Sequence, residues 1–267
     1  MDRPRHVSGT ALRVRPRAWI GIALWVVYVA VILLVQGTSG VPYTELADTV
    51  GNIWRNGVLS IVLAAAAVVL IGWRLGWLRA AIVERPRSRA RWTLLAPLLY
   101  LAIAIGNAVA TDWSALSVGF VLSAVVLGVV VGFGEEITCR GLLLVGLRGS
   151  TREVFVWLLT CVLFGLMHGL NIVLGAAVGD TVQQVVLAAM QGSAFYVLRR
   201  VTGSLVWAMA LHGFWDFSIF TQSTSGADQS SLGILMVPAA LLSVVAAFFV
   251  TRDAGRERDR DEALTGG

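Results

Sequence analysis

The chain has 267 residues, of which 57% are hydrophobic and 14% charged, with a formal net charge of +5. Soluble domains are nearer 45–50% apolar and about 25% charged, so this composition excludes an ordinary soluble domain and indicates a polytopic membrane protein. The positive balance is all arginine, and the arginines lie in short segments between apolar runs. That placement speaks for orientation in a bilayer and against nucleic acid as a partner, which would need a basic face on a soluble fold.

Residues 1–17 form a basic tail expected in the cytoplasm. The run Trp19–Val35 follows. It exceeds the 7–15 residues of a signal-peptide core, and the "VQGTSG" after it is a poor cleavage site, so it reads as a retained span. Further spans are expected at Gly57–Trp73, Trp92–Ala110, Leu116–Gly134 running on past Arg140, Val154–Val178, Val182–Leu198, Leu205–Phe220 and Leu232–Val250. Runs this long and continuous predict helices rather than the short alternating strands of a barrel. The fold class is therefore all-α, with about eight transmembrane helices over residues 18–250.

Arginines cluster before the first span, between spans two and three, four and five, and six and seven, and after span eight. The alternate loops hold Arg55 against Glu45, Asp48, Asp112, Asp180 and Asp228. Both termini are thus expected on the cytoplasmic side. Residues 251–267, with charges of alternating sign, read as a solvated cytoplasmic tail that need not fold. Cys139 and Cys161 lie inside apolar runs and offer neither a disulfide framework nor a CxxC metal signature.

Ionisable groups within a span cost roughly 2.5–3.5 kcal/mol each and mark functional positions. Here they are Glu135, Glu136, Arg140, His168, His212 and Asp216. Glu136 and Arg140 stand four apart and face each other on a helix, as a self-neutralising pair would. Glu135 points about 100° away, on the side of Cys139, and has no local cation, which suits a general base or acid. One turn separates Phe164 from His168 and His212 from Asp216, and Asn171 follows His168 by three residues. Counted from the nearest cytoplasmic arginine, Glu135, His168 and His212 lie at depths of about 20, 24 and 18 Å in unbroken helices. Three helices therefore bring polar groups to one level. The segment from Leu116 to Arg148 is long for one untilted span, which leaves room for a bend at Gly132 and Gly134 or for a short extra helix after Arg140.

A glutamate and a histidine sharing a water can activate it against a carbonyl, while a second histidine with an acid neighbour meets the developing oxyanion. That constellation predicts hydrolysis of a peptide bond within the membrane. "EEITCR", "FGLMH" and "HGFWD", in this order, resemble the EExxxR, FxxxH and HxxxN/D motifs of the CAAX-protease and bacteriocin-processing (CPBP, Abi) family of intramembrane endopeptidases. The resemblance spans about residues 92–250. It implies that Glu135 and His168 activate the water and that His212 and Asp216 form the oxyanion site. It makes Glu136 and Arg140 a supporting pair, with Phe164 shaping the pocket; Asn171 is a further supporting candidate by its spacing from His168 alone. The expected substrate is a membrane-associated protein or peptide, the expected location a bacterial plasma membrane, and no cofactor is expected, with zinc as the alternative.

Asp216 stands where several relatives carry Asn. An ionised Asp accepts and does not donate, so either it is protonated or it holds His212 as the donor; the spacing of four favours the second. The alternatives are a zinc site of Glu135, His168 and His212, without an HExxH motif; Cys139 as nucleophile; and a non-enzymatic immunity or transport role.

Overall fold

The computed structural model describes residues 12–265 apart from 86 and 229, with side chains as far as Asp253. The expected tail 1–17 thus lies mostly outside the described residues. Eight long helices occur among the described residues: α1 (Ala18–Thr38), α2 (Val50–Leu75), α3 (Arg91–Ala110), α4 (Val118–Arg148), α5 (Glu153–Val173), α6 (Val178–Thr202), α7 (Val206–Thr224) and α8 (Met236–Thr265). The single β-bridge, Val83 to Ser204, is the only extended pairing among them. The chain is an all-α, multi-pass integral membrane protein.

Among the described residues six helical segments are long and apolar enough to cross a bilayer: α1 to α5, and Ser231–Asp253 around the start of α8. The two that fall short are α6 and α7. Both are long helices, but Asp180, Gln183, Gln184 and Gln191 on α6, and His212, Asp216 and Gln222 on α7, dilute their apolar character. All of these polar residues but Gln222 line the cavity described below. Val109, Val118, Leu122 and Val129, by contrast, point outward and are exposed, an apolar surface suited to lipid. α8 continues as helix through Thr265, where the charge pattern had indicated a tail that need not fold.

The long segment after Leu116 is one helix rather than two. Its length is absorbed by a π-helical stretch, Ile137–Leu143, immediately after the paired glutamates. Such widened turns shift the register of the chain beyond them and recur at functional sites. Within this stretch the Arg140 carbonyl accepts a buried hydrogen bond from the Arg199 guanidinium.

Small residues let α4 and α7 approach closely. A methyl added at Gly128 or Gly132 would strike the α7 backbone at Gly213 and Met209. Close backbone contact of this kind is how helices pack where lipid offers no hydrophobic drive. The crossing lies one turn before Glu135, and it sets the glutamates beside His212.

Hydrogen bonds assign the loops to two faces. On one face, Arg13 and Val14 donate from their backbone to Leu75, Ala18 to the Ser150 hydroxyl and Glu84 to Gly203, and the Ser88 hydroxyl reaches Asp253. On the other, Tyr43 donates to Leu174, Arg55 to Ser39, and Asp112 to Ser225.

The first face is held by Glu84, in the segment between α2 and α3. Its carboxylate, 1% exposed, meets Arg148, Arg199 and Arg200. Arg199 and Arg200, expected as loop arginines, are in fact buried in the last turn of α6. Burial alone would push the Glu84 carboxyl up, but the three guanidiniums outweigh it and hold the group well below the usual carboxylate range. The sign follows. A depressed carboxyl contributes stability above its ordinary value of 4.5 and loses it as pH falls toward the folded value. Glu84→Gln is expected to cost about 3–5 kcal/mol at neutral pH, since it strands buried cations. In melts of the detergent-solubilised protein, the Tm gap to wild type should narrow as pH drops below the ordinary glutamate range.

Candidate active site

Residues of α1, α2, α4, α5, α6, α7 and the start of α8 line a cavity of about 720 Å³. Glu135, Phe164, His168, Asn171, His212 and Asp216 all line it. Three helices far apart in sequence thus converge as the depths predicted. Glu136 and Arg140 stand behind this wall, with fully buried side chains joined at 2.8 Å from Nη1 to Oε1.

His212 sits at the centre of three carboxylates. Its Nδ1 lies 3.1 Å from Glu136 Oε1. A carboxylate paired with Arg140 acts as an acceptor, so the ring donates from Nδ1. Its Nε2 faces Glu135 at 3.8 Å and Asp216 at 3.7 Å, too far for a direct bond and open toward the cavity. The residue that fixes the ring is therefore Glu136, whereas spacing along α7 had given that task to Asp216. Phe195 stacks on the imidazole at 4.8 Å with 18° between planes.

His168 ends the first part of α5, and its Nδ1 lies 2.9 Å from the Phe164 carbonyl. That carbonyl only accepts, so Nδ1 carries the proton and Nε2 of the neutral ring is left with its lone pair. Among the described residues no hydrogen bond or ion pair joins His168 to Glu135; they share the cavity from different helices. Glu135 keeps one buried carboxylate oxygen without a hydrogen-bond partner, the one that faces His212 Nε2 at 3.8 Å. Asn171 donates to Gln184 at 2.9 Å, which fastens the end of α5 to α6.

Arg140 spends little of its charge on hydrogen bonds. Its guanidinium lies over Phe164 at 3.8 Å and Phe195 at 5.4 Å, while Nε and Nη2 have no hydrogen-bond partner. Cation–π contact is stronger when desolvated. A methyl on Gly192 would collide with this guanidinium, so α6 needs glycine there. Phe164 touches both imidazoles edge-on, at 5.2 Å and 5.6 Å, and so spaces them.

Sequence reasoning missed Gly192, Phe195, Gln184 and Gln191. A signal was present: residues 184, 188, 191 and 195 repeat at helical spacing on α6. The tyrosine Tyr43, from the α1–α2 segment, also reaches the cavity, and nothing in its local sequence marks it.

Among the described residues no three His, Cys, Asp or Glu side chains are gathered as a metal-ligand set. Cys139 is fully buried and does not line the cavity.

Comparison with known families gives one finding. Residues 117–218 match the family described as Rce1-like, type II CAAX prenyl endopeptidase. The match lies inside the 92–250 core expected from the motifs and contains all eight candidate residues. No curated protein and no solved structure matches the chain.

Proposed function

Taking residues 117–218 as a domain of the type II CAAX prenyl endopeptidase family, we propose that the protein is a glutamic-type intramembrane endopeptidase of a membrane-associated polypeptide. The supporting observation is that Glu135, His168, His212 and Asp216 line one cavity while Glu136 orients His212 from behind. Glu135 and the Nε2 lone pair of His168 take up the proton of a water as its oxygen attacks the scissile carbonyl carbon. As the imidazolium, His212 donates from Nε2 to the oxyanion that forms. The captured proton then passes to the amide nitrogen, the C–N bond breaks, and an acid and an amine result. A bacterial plasma membrane is the proposed setting.

Asp216 acts on this scheme through charge, 3.7 Å from the donating nitrogen. Asp216→Asn is expected to lower kcat by about ten- to a hundredfold, or roughly 1.4–2.8 kcal/mol, with KM little changed. Full activity would remove Asp216 from the oxyanion site.

The function itself is tested by comparing the membrane proteomes of cells carrying wild type or Glu135→Ala. Uncut precursors accumulating only in the variant support the endopeptidase; identical proteomes, with both proteins present at equal levels, contradict it. Stoichiometric zinc required for activity would replace the metal-free reading.

A further inference from the structure

The helices that line the cavity offer it residues from their middles and from one common end. α1 contributes Val29, Ile32 and Gln36, toward its C-terminus, and α2 contributes Gly57 and Ile61, near its start. α6 gives Asp180, Gln183 and Gln191, from its start to its middle, and α7 gives His212 to Phe220, from its middle toward its C-terminus. The mouth therefore lies on the face where Tyr43 meets Leu174, opposite the Glu84 network.

The two faces differ in charge. Around the mouth, loops hold Arg55 against Glu45, Asp48, Asp112, Asp180 and Asp228, and Arg55 donates to the Ser39 carbonyl at 2.9 Å. The opposite face keeps a large arginine excess even with Arg148, Arg199 and Arg200 set against Glu84 and Glu153: Arg13, Arg15 and Arg17 precede α1, and Arg74 to Arg91 fill the α2–α3 segment. Arginine in short loops stays on the cytoplasmic side during insertion, whereas Asp and Glu weigh little.

We propose that the cavity opens to the non-cytoplasmic side, so that the substrate is a membrane-associated polypeptide whose scissile segment lies on that side. The word substrate rests on the endopeptidase reading; the direction of opening does not. A segment held in the cytoplasm would have to pass the Glu84 network and the fully buried stretch Ile137–Leu143 of α4 to reach Glu135. A segment already translocated enters past Asp180 and Gln183, both exposed at the mouth.

The test is single-cysteine labelling of the full chain in intact cells with a membrane-impermeant maleimide. Asp180→Cys and Gln183→Cys are expected to label in intact cells, and Arg74→Cys and Arg152→Cys only after permeabilisation. Cys139 and Cys161 are buried, and wild type sets their background. Asp112→Cys reads the same face from an exposed site away from the cavity, should the α6 variants fail to insert. The reverse pattern, or labelling of both faces in intact cells, overturns the assignment. Labelling needs no catalysis, so it stands or falls apart from the peptidase reading. Where cleavage is seen, the new termini lost in Glu135→Ala cells should map to non-cytoplasmic segments; cytoplasmic ones would also overturn it.

Discussion

Glu135→Gln is expected to lower substrate cleavage by at least about a thousandfold, within the range that a positioned general base supplies, while the protein melts no lower than wild type. Both halves follow from the same geometry. Glu135 has a buried oxygen without a hydrogen-bond partner and shares a single imidazole with Asp216 and Glu136. A lone carboxylate there is costly to keep, and a neutral amide of the same shape relieves the cost. Loss of activity with an unchanged or raised Tm is the signature of a residue held for chemistry. If the variant unfolds instead, Glu135 braces the bundle and the water-activating role must move to His168. Glu135→Asp keeps the charge but withdraws it by one methylene, and should retain partial activity. Cleavage is read on a membrane-associated substrate found by the proteome comparison, and stability by melts of the same preparations.

The bundle and most of the site were legible because the membrane penalises charge so strongly. Six ionisable residues inside apolar runs named the site, and their spacing paired Glu136 with Arg140 and set Glu135 apart. Spacing along one helix cannot show what another helix brings. Hence the Glu136–His212 bond across 76 residues went unseen, and Asp216 received the orienting role that Glu136 holds. The same limit hid Phe195 and Gly192, whose meaning depends on a guanidinium carried by α4. Arg199 and Arg200 were misplaced for a related reason. An arginine pair between two apolar runs looks like a loop until Glu84, from a segment more than a hundred residues earlier, is found against it. The π-helical stretch after Glu136 was legible only as excess length in one span, since no residue type announces it.

Glu136 and Arg140 should behave as one unit, and a double-mutant cycle reads this out. Each side chain is fully buried, so removing either leaves the other's charge in a medium that cannot solvate it. Arg140→Met and Glu136→Gln are each expected to cost about 3–5 kcal/mol, the usual penalty for breaking a buried pair from one side. Together they leave no stranded charge, and the double variant should recover most of the loss; simple additivity would mean that the two do not act as a pair. Activity should divide differently. In Glu136→Gln the amide oxygen still accepts from His212 Nδ1, so the ring keeps its orientation but loses a neighbouring negative charge. Arg140→Met instead removes the cation lying over Phe164 and Phe195, the two rings that space and stack the histidines. Arg140→Met should therefore lose more activity than Glu136→Gln at equal Tm, and in the double variant recovered stability should not restore cleavage. The pair thus has two separable duties, neutrality for the helix and alignment for the imidazoles, and only the first is met by replacing both members.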